Sequence, residues 1–172
     1  MTNAIHTNNA EKSENNWAFI DTQNLYKGVR ECGWKINWTR FREYLKSKYN
    51  VTRAFVFLGY IQEYNRLYTR FKNADFIPRF RPVRQLRNGK IDGGNVDVDL
   101  AYFVGDYKSD YHKAIIVADD GDYYNMIGSL NRQNKLKLVI SSHPIKKTSE
   151  LIKQAVRKEQ ILSIHSIRSL IE

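Results

Sequence analysis

The sequence predicts a three-layer α/β/α fold with a mostly parallel central sheet. Three observations predict it. Short apolar runs alternate along the chain with stretches whose apolar residues recur at helical spacing. Two strongly apolar runs end in aspartates, and a parallel sheet gathers its ligand-binding residues at the carboxyl ends of its strands. Finally, 172 residues of which 42% are hydrophobic suffice for one domain with a substantial core.

The elements follow in order. Residues 1–16 are polar and asparagine-rich and lack the apolar core of a signal peptide, so they are expected to form a disordered tail before one domain spanning 17–172. Trp17-Ala18-Phe19-Ile20 reads as a buried strand ending at Asp21. Trp38, Phe41, Leu45 and Tyr49 fall at helical spacing behind Asn37, a suitable N-cap. Val51 to Gly59 reads as a second strand, and Tyr64, Leu67, Tyr68 and Phe71 mark an amphipathic helix. From Phe76 to Leu86 bulky apolar residues alternate with arginines, and two prolines make this an edge strand or extended segment.

Asn88-Gly89 is a tight-turn signal. Gly93-Gly94-Asn95 breaks the chain before a helix through Val98, Ala101, Tyr102 and Gly105. Lys113 to Ala118 is the clearest buried strand, followed by a helix from Tyr123 to Gln133 and a strand from Leu136 to Ser141. A helix capped by Thr148 is expected over Ser149 to Lys158, and a last short strand over Gln160 to Ile167.

The charge balance narrows the function. Lys and Arg number 28 against 18 acids, a net charge of +10 that attracts polyanions. Cys32 is the sole cysteine, which excludes a disulfide framework and a cysteine-based zinc site and suits a reducing cytoplasm. No apolar run approaches the roughly 20 residues that cross a bilayer.

Against this basic background the acids are concentrated. Asp21 closes the first apolar run, and Asp119, Asp120 and Asp122 follow the Lys113–Ala118 run. Asp97 and Asp99 sit at a helix start between them. Clustered carboxylates repel one another unless a cation neutralises them, and hard divalent cations take oxygen ligands. A positive surface that brings a polyanion to an acidic, metal-holding centre is the arrangement of a metal nuclease. Each acid taken singly also fits a turn or a helix cap.

Four segments, in order, resemble the NYN domain family, a branch of the PIN-like ribonucleases. They are Phe19-Ile20-Asp21-Thr22-Gln23-Asn24-Leu25-Tyr26, Gly94-Asn95-Val96-Asp97-Val98-Asp99-Leu100-Ala101, Ala114 to Tyr123 with its Asp119-Asp120-Gly121-Asp122 end, and Lys135 to Ser149. The resemblance implies a PIN-like fold and an Mg²⁺- or Mn²⁺-dependent ribonuclease, an endonuclease by expectation, leaving 5′-phosphate and 3′-hydroxyl ends. It places Asp21, Asp97, Asp120 and Asp122 as metal-binding acids, Asn24 as their polar partner, and Asp99 at a position acidic in only some members. Phe103 stands where many members carry a further Asp, and Asp99 is the candidate to replace that charge. Asp119 stands where the family usually has Gly.

Arg79, Arg81, Arg84 and Arg87 lie within nine residues and are candidates to track a phosphate backbone, or else to guard an exposed edge. Lys146 and Lys147, with Lys153, Arg157 and Lys158 beyond them, form a second basic group. Tyr60 is the best candidate to stack on an unpaired base, while Tyr64 and Tyr123 are read as core. His143, His165 and Cys32 are read as structural.

The expected partner is RNA, single-stranded or structured, with no membrane role and with homodimer formation left open. The alternative is a catalytically weak or inactive NYN-type RNA-binding module, which Phe103 favours. A phosphatase using Asp21 as nucleophile is disfavoured because Gln23 stands where such enzymes carry a second Asp. No glycine-rich phosphate loop supports a nucleotide-binding domain.

Overall fold

A computed structural model describes residues 14–85 and 91–172. Residues 1–13 of the tail expected over 1–16 lie outside the described residues, as do Arg87 and the Asn88-Gly89 turn, whereas Asn16 belongs to the first strand. The first strand, β1 (Asn16–Asp21), begins one residue earlier than the apolar run suggests. Asn16 is buried there and clasps three segments. Its carboxamide donates to the Tyr49 carbonyl and the Glu14 carboxylate and accepts from the Lys113 N–H.

The elements continue as α1 (Thr22–Glu31), α2 (Trp38–Tyr49), β2 (Val51–Gly59), α3 (Asn65–Asn73), β3 (Ile77–Arg81), β4 (Arg84–Gln85) and β5 (Ile91–Asp92). They end with α4 (Asp97–Asp106), β6 (Ala114–Val117), α5 (Tyr124–Arg132), β7 (Leu136–Ser141), α6 (Glu150–Ala155), β8 (Ile161–Ser163) and α7 (Arg168–Ile171). The main sheet has six strands in the order β3-β2-β1-β6-β7-β8, every neighbouring pair parallel. The short strands β4 and β5 pair antiparallel beside it.

Alternation along the strands divides the core. Ala18, Ile20, Val56, Leu58, Ile115 and Val117 face α1, α2, α3 and α7 through Leu25, Phe41, Leu45, Phe71 and Ile171. Trp17, Phe19, Phe55, Phe57 and Ile116 face α4, α5 and α6 through Leu100, Val104, Ile127 and Ile152. Three layers result, as expected. Both edges of the central β1–β6 pair are covered by neighbours, so these strands carry almost unbroken apolar side chains.

Asn37 caps α2 as expected, accepting from the Arg40 N–H at 3.1 Å. β3 is an edge strand, consistent with Pro78 inside it and Pro82 just after it. Three expectations need correction, and one helix was not expected at all: α1, although its buried Leu25, Gly28 and Val29 recur at helical spacing. Tyr64 lies at the end of a 3₁₀ turn and is exposed, not core. The Thr148 hydroxyl does not cap a helix but donates to the Ser141 hydroxyl at 2.7 Å, and α6 is only six residues long. The last strand covers only Ile161–Ser163, after which the chain turns into a 3₁₀ segment and α7.

Candidate active site

The carboxyl ends of β1 and β6 lie side by side, because these strands are adjacent and parallel. Asp21 is the last residue of β1 and the N-cap of α1. Its Oδ1 accepts the Asn24 N–H at 3.0 Å, the short-side-chain capping geometry that also satisfies a free helix N–H. Its Oδ2 accepts the Tyr123 hydroxyl at 2.9 Å. Asp97 opens α4, which packs across β1, and its Oδ1 lies 2.7 Å from the same hydroxyl. The Asn95 side chain fixes this turn by accepting the Asp97 N–H at 2.8 Å.

Two carboxylates from distant parts of the chain thus converge on one phenol. Burial raises the Asp21 pKa above its ordinary value. The bonds from the Asn24 N–H and Tyr123 pull it down, and the charge of Asp97 adds to the rise. Burial, and behind it the charge of Asp21, pushes the Tyr123 phenol far upward, so it keeps its proton. A phenol has one proton and donates to one carboxylate at a time. The second contact is stable only with a proton on a carboxyl or with a cation beside the pair.

Asp120 and Asp122 occupy the neighbouring strand end. Asp120 caps the 3₁₀ turn Gly121–Tyr123 by accepting the Asp122 N–H at 3.2 Å, and both side chains are exposed. Gly121 lets the turn approach α6 closely, since a Cβ would meet the Ser149 Oγ at 2.9 Å and the serine side chain would have to turn away. Asp119, by contrast, turns inward. Its Oδ2 accepts the Ser141 and Ser142 hydroxyls at 3.1 and 2.8 Å and lies 2.6 Å from the His143 Nδ1. The His143 Nε2 in turn lies 3.2 Å from Glu31. Asn24 joins this network through its side-chain oxygen, which accepts the Asp119 N–H and lies 2.9 Å from the Ser142 hydroxyl as a second acceptor for its one proton. Its backbone N–H alone touches Asp21, so Asn24 locks the acidic loop to α1 and to the end of β7.

Asp99 stands apart. Two residues beyond Asp97 on a helix, it points to β3 and pairs with Arg81 at 3.0 Å. Phe103 packs against Phe55, Phe57 and Tyr107, and the Arg79 guanidinium lies 4.4 Å above its ring. The Phe103 position is therefore an apolar wall, and Asp99 is not brought to the Asp21–Asp97 pair. Arg84, Lys146 and Lys147 are exposed, the two lysines on a 3₁₀ turn after the carboxyl end of β7. Tyr60 is exposed beside the Phe80 ring, and His165 is a structural link between Trp34 and the Ser142 carbonyl.

Tyr123 is the site residue that sequence reasoning misses, because its burial pattern is that of core. The available signal was the hydroxyl itself, since a buried tyrosine O–H requires a partner.

No three of His, Cys, Asp and Glu converge as a ready-made metal set among the described residues. The Asp21–Asp97 pair nonetheless suits a hard cation such as Mg²⁺, which keeps several waters and needs only one or two carboxylates beside substrate phosphate. Among the described residues no helix is long and apolar enough to cross a membrane.

A family model described as NYN domain matches residues 17–161. A crystal structure of a protein of unknown function from Vibrio parahaemolyticus is similar over 90% of this chain and 95% of that one, with a TM-score of 0.73. At 19% identity this likeness shows the fold alone. No curated protein matches the sequence significantly.

Proposed function

Because the chain belongs to the NYN domain family, a group of PIN-like nucleases, we propose that it is a divalent-metal-dependent ribonuclease, acting as an endonuclease on RNA in a reducing, cytoplasmic setting. The observation that carries this reading is the meeting of Asp21 and Asp97 on the Tyr123 hydroxyl at the carboxyl edge of the sheet. Asp21 and Asp97 would hold the cation, Mg²⁺ or Mn²⁺, with Asp120 and Asp122 on the adjoining strand end as further oxygen donors. When bound, such a cation neutralises charge on the phosphate and acidifies a coordinated water.

The chain's own groups do the rest. The Asn24 N–H and the Tyr123 hydroxyl hold Asp21 in one orientation, so little reorganisation is needed as charge develops. The buried Asp119–Ser142–Asn24 network holds the loop bearing Asp120 against α1. Arg84, Lys146 and Lys147 place positive charge where the backbone of the substrate would run. Arg79 and Arg81 contribute less, since one lies over Phe103 and the other is paired with Asp99.

That same pairing favours a second reading. With Asp99 tied to Arg81 and Phe103 filling a family acid position, the acidic centre is small, as in a weak or inactive RNA-binding module. Cleavage of end-labelled structured and unstructured RNAs in Mg²⁺, Mn²⁺ or EDTA separates the two. Metal-dependent cutting that disappears in Asp97→Asn and Asp120→Asn establishes the nuclease. Binding without cutting under either metal establishes the module and overturns the nuclease.

A further inference from the structure

The richest unassigned feature is a cavity of about 820 Å³ on the α1–α3 side of the sheet, just across the carboxyl edge from the acid pair. Its volume is that of a small-molecule site. One face of α1 lines it, with Gln23, Tyr26, Lys27 and Arg30 at i, i+3, i+4 and i+7. Leu58, Ile61 and Leu67 supply an apolar floor, and Tyr64 presents an exposed ring. Val83 and the Gly93-Gly94 pair close the remaining side. Gly59 must lack a Cβ there, which would meet Val83 at 2.7 Å.

Thr22 adds an independent observation. It lines the same cavity and is 2% exposed, and its hydroxyl is the one buried side-chain polar atom with no hydrogen-bond partner among the described residues. Buried polar groups are otherwise bonded, and an orphan costs free energy until something pairs with it. Thr has two accessible χ1 rotamers in a helix, so a rotamer change can turn the hydroxyl toward the cavity that Thr22 lines. The groove on the other side of the sheet, between β3 and α4, offers no such unfilled bond, and its Arg81 is already paired.

An apolar slot with an exposed aromatic ring, an amide, an unpaired hydroxyl and two cations at the rim matches the chemistry of one nucleotide, and its one lining carboxylate, Glu31, is engaged 3.2 Å from the His143 Nε2. We infer that this cavity receives a single unstacked nucleobase of the RNA. The base lies against Tyr64, the Thr22 hydroxyl and the Gln23 carboxamide meet its polar edge, and Lys27 and Arg30 face its phosphate. This rests on the ribonuclease reading for its substrate class. Thr22 directly follows Asp21, with Cα atoms about 3.8 Å apart, and Gly94 precedes Asp97 by three residues. A base seated here therefore sets which phosphodiester lies at the acid pair, and the cavity is a specificity site for cleavage.

The test is binding of AMP, GMP, CMP, UMP and ribose 5-phosphate to the full chain in EDTA, followed by titration calorimetry or amide chemical shifts. At least one base-bearing monophosphate binds about tenfold or more tighter than ribose 5-phosphate, in line with one stacked base. Tyr64→Ala, at an exposed position with little folding cost, and Leu67→Trp, which fills the slot, abolish that preference. Asp97→Asn keeps it. Equal binding of ribose 5-phosphate, or a preference unchanged in both Tyr64→Ala and Leu67→Trp, overturns the inference. Base preference in a chain that never cleaves RNA supports the pocket and defeats only the nuclease. Metal-dependent cleavage without base preference overturns the pocket and leaves the nuclease standing.

Discussion

Tyr123 shares one hydroxyl proton between two carboxylates, and burial makes the protonation of Asp21 sensitive to what lies beside it. The folded pKa of Asp21 is raised by burial above its unfolded value. A raised carboxyl contributes stability that is present below the unfolded pKa and lost as pH rises through the folded one. In EDTA, the stability advantage of wild type over Asp21→Asn should therefore shrink as pH climbs from below about 4, the unfolded value, and added Mg²⁺ should restore it at neutral pH. Urea denaturation of both proteins across that range checks this, and an advantage that grows with pH refutes it. Tyr123→Phe leaves the ring and removes the single hydroxyl proton that the two acids share. It should cost about 1–2 kcal/mol in EDTA and lower the cleavage rate, with the helix content in circular dichroism unchanged. The placement of Asp21 and Asp97 at one end of the sheet was visible in sequence because a strand end and a helix start are local signals. The hydroxyl of Tyr123 was not, since its partners lie 102 and 26 residues away in the chain. Asp119 was equally opaque, because only the distant Ser141 and Ser142 turn it inward.

At the scale of elements, the strands were the legible part. β2 and β7 match their apolar runs in sequence because parallel strands covered on both faces need continuous apolar residues. Helix α1 was the element missed, although Leu25, Gly28 and Val29 form a buried face at helical spacing. Gly28 sits in its middle, a weak helix former, yet a Cβ there would stand 2.2 Å from the Ser142 carbonyl oxygen. The helix is held by that close approach to the end of β7, and Asn24 bonds Ser142 from the same helix. Gly28→Ala must push α1 off backbone atoms that cannot yield. It should destabilise by about 2 kcal/mol or more and depress cleavage as well, because Asp21 caps the displaced helix. A thermal melt and a cleavage assay on this one variant check both effects. Arg42 performs the matching task on α2. Its buried guanidinium donates to the carbonyls of Asp75, Val51 and Thr52, tying α2 to the start of β2 and the approach to β3. Arg42→Met removes the donors and leaves acceptors unpaired, at a cost of about 3 kcal/mol in urea denaturation. Arg42→Lys should not rescue it, since one ammonium lacks the planar fork that reaches three carbonyls.

For the whole molecule, the net charge of +10 and the small acidic centre act over different distances. The positive excess operates across a Debye length and concentrates polyanions at the surface, whereas the Asp21–Asp97 pair acts only in contact. Composition reveals the first but cannot assign it to particular arginines. Arg79, Arg81, Arg84 and Arg87 looked alike in sequence, but tertiary contacts commit Arg79 to Phe103 and Arg81 to Asp99 while Arg84 remains exposed. Charges already engaged release fewer counterions when a polyanion binds. Lys146 and Lys147 are exposed at the carboxyl edge, beside the strand ends that carry the acids, and should contact phosphate directly. Each phosphate contact on a single strand contributes about 0.7 to the slope of log K against log salt. Replacing both lysines by alanine should then flatten that slope by about 1.4, whereas Arg81→Ala should change it by much less and also free Asp99. Fluorescence anisotropy of a labelled oligonucleotide over a salt series decides the matter. A larger slope change for Arg81 than for the lysine pair would move the RNA path from the carboxyl edge of β7 to the groove between β3 and α4.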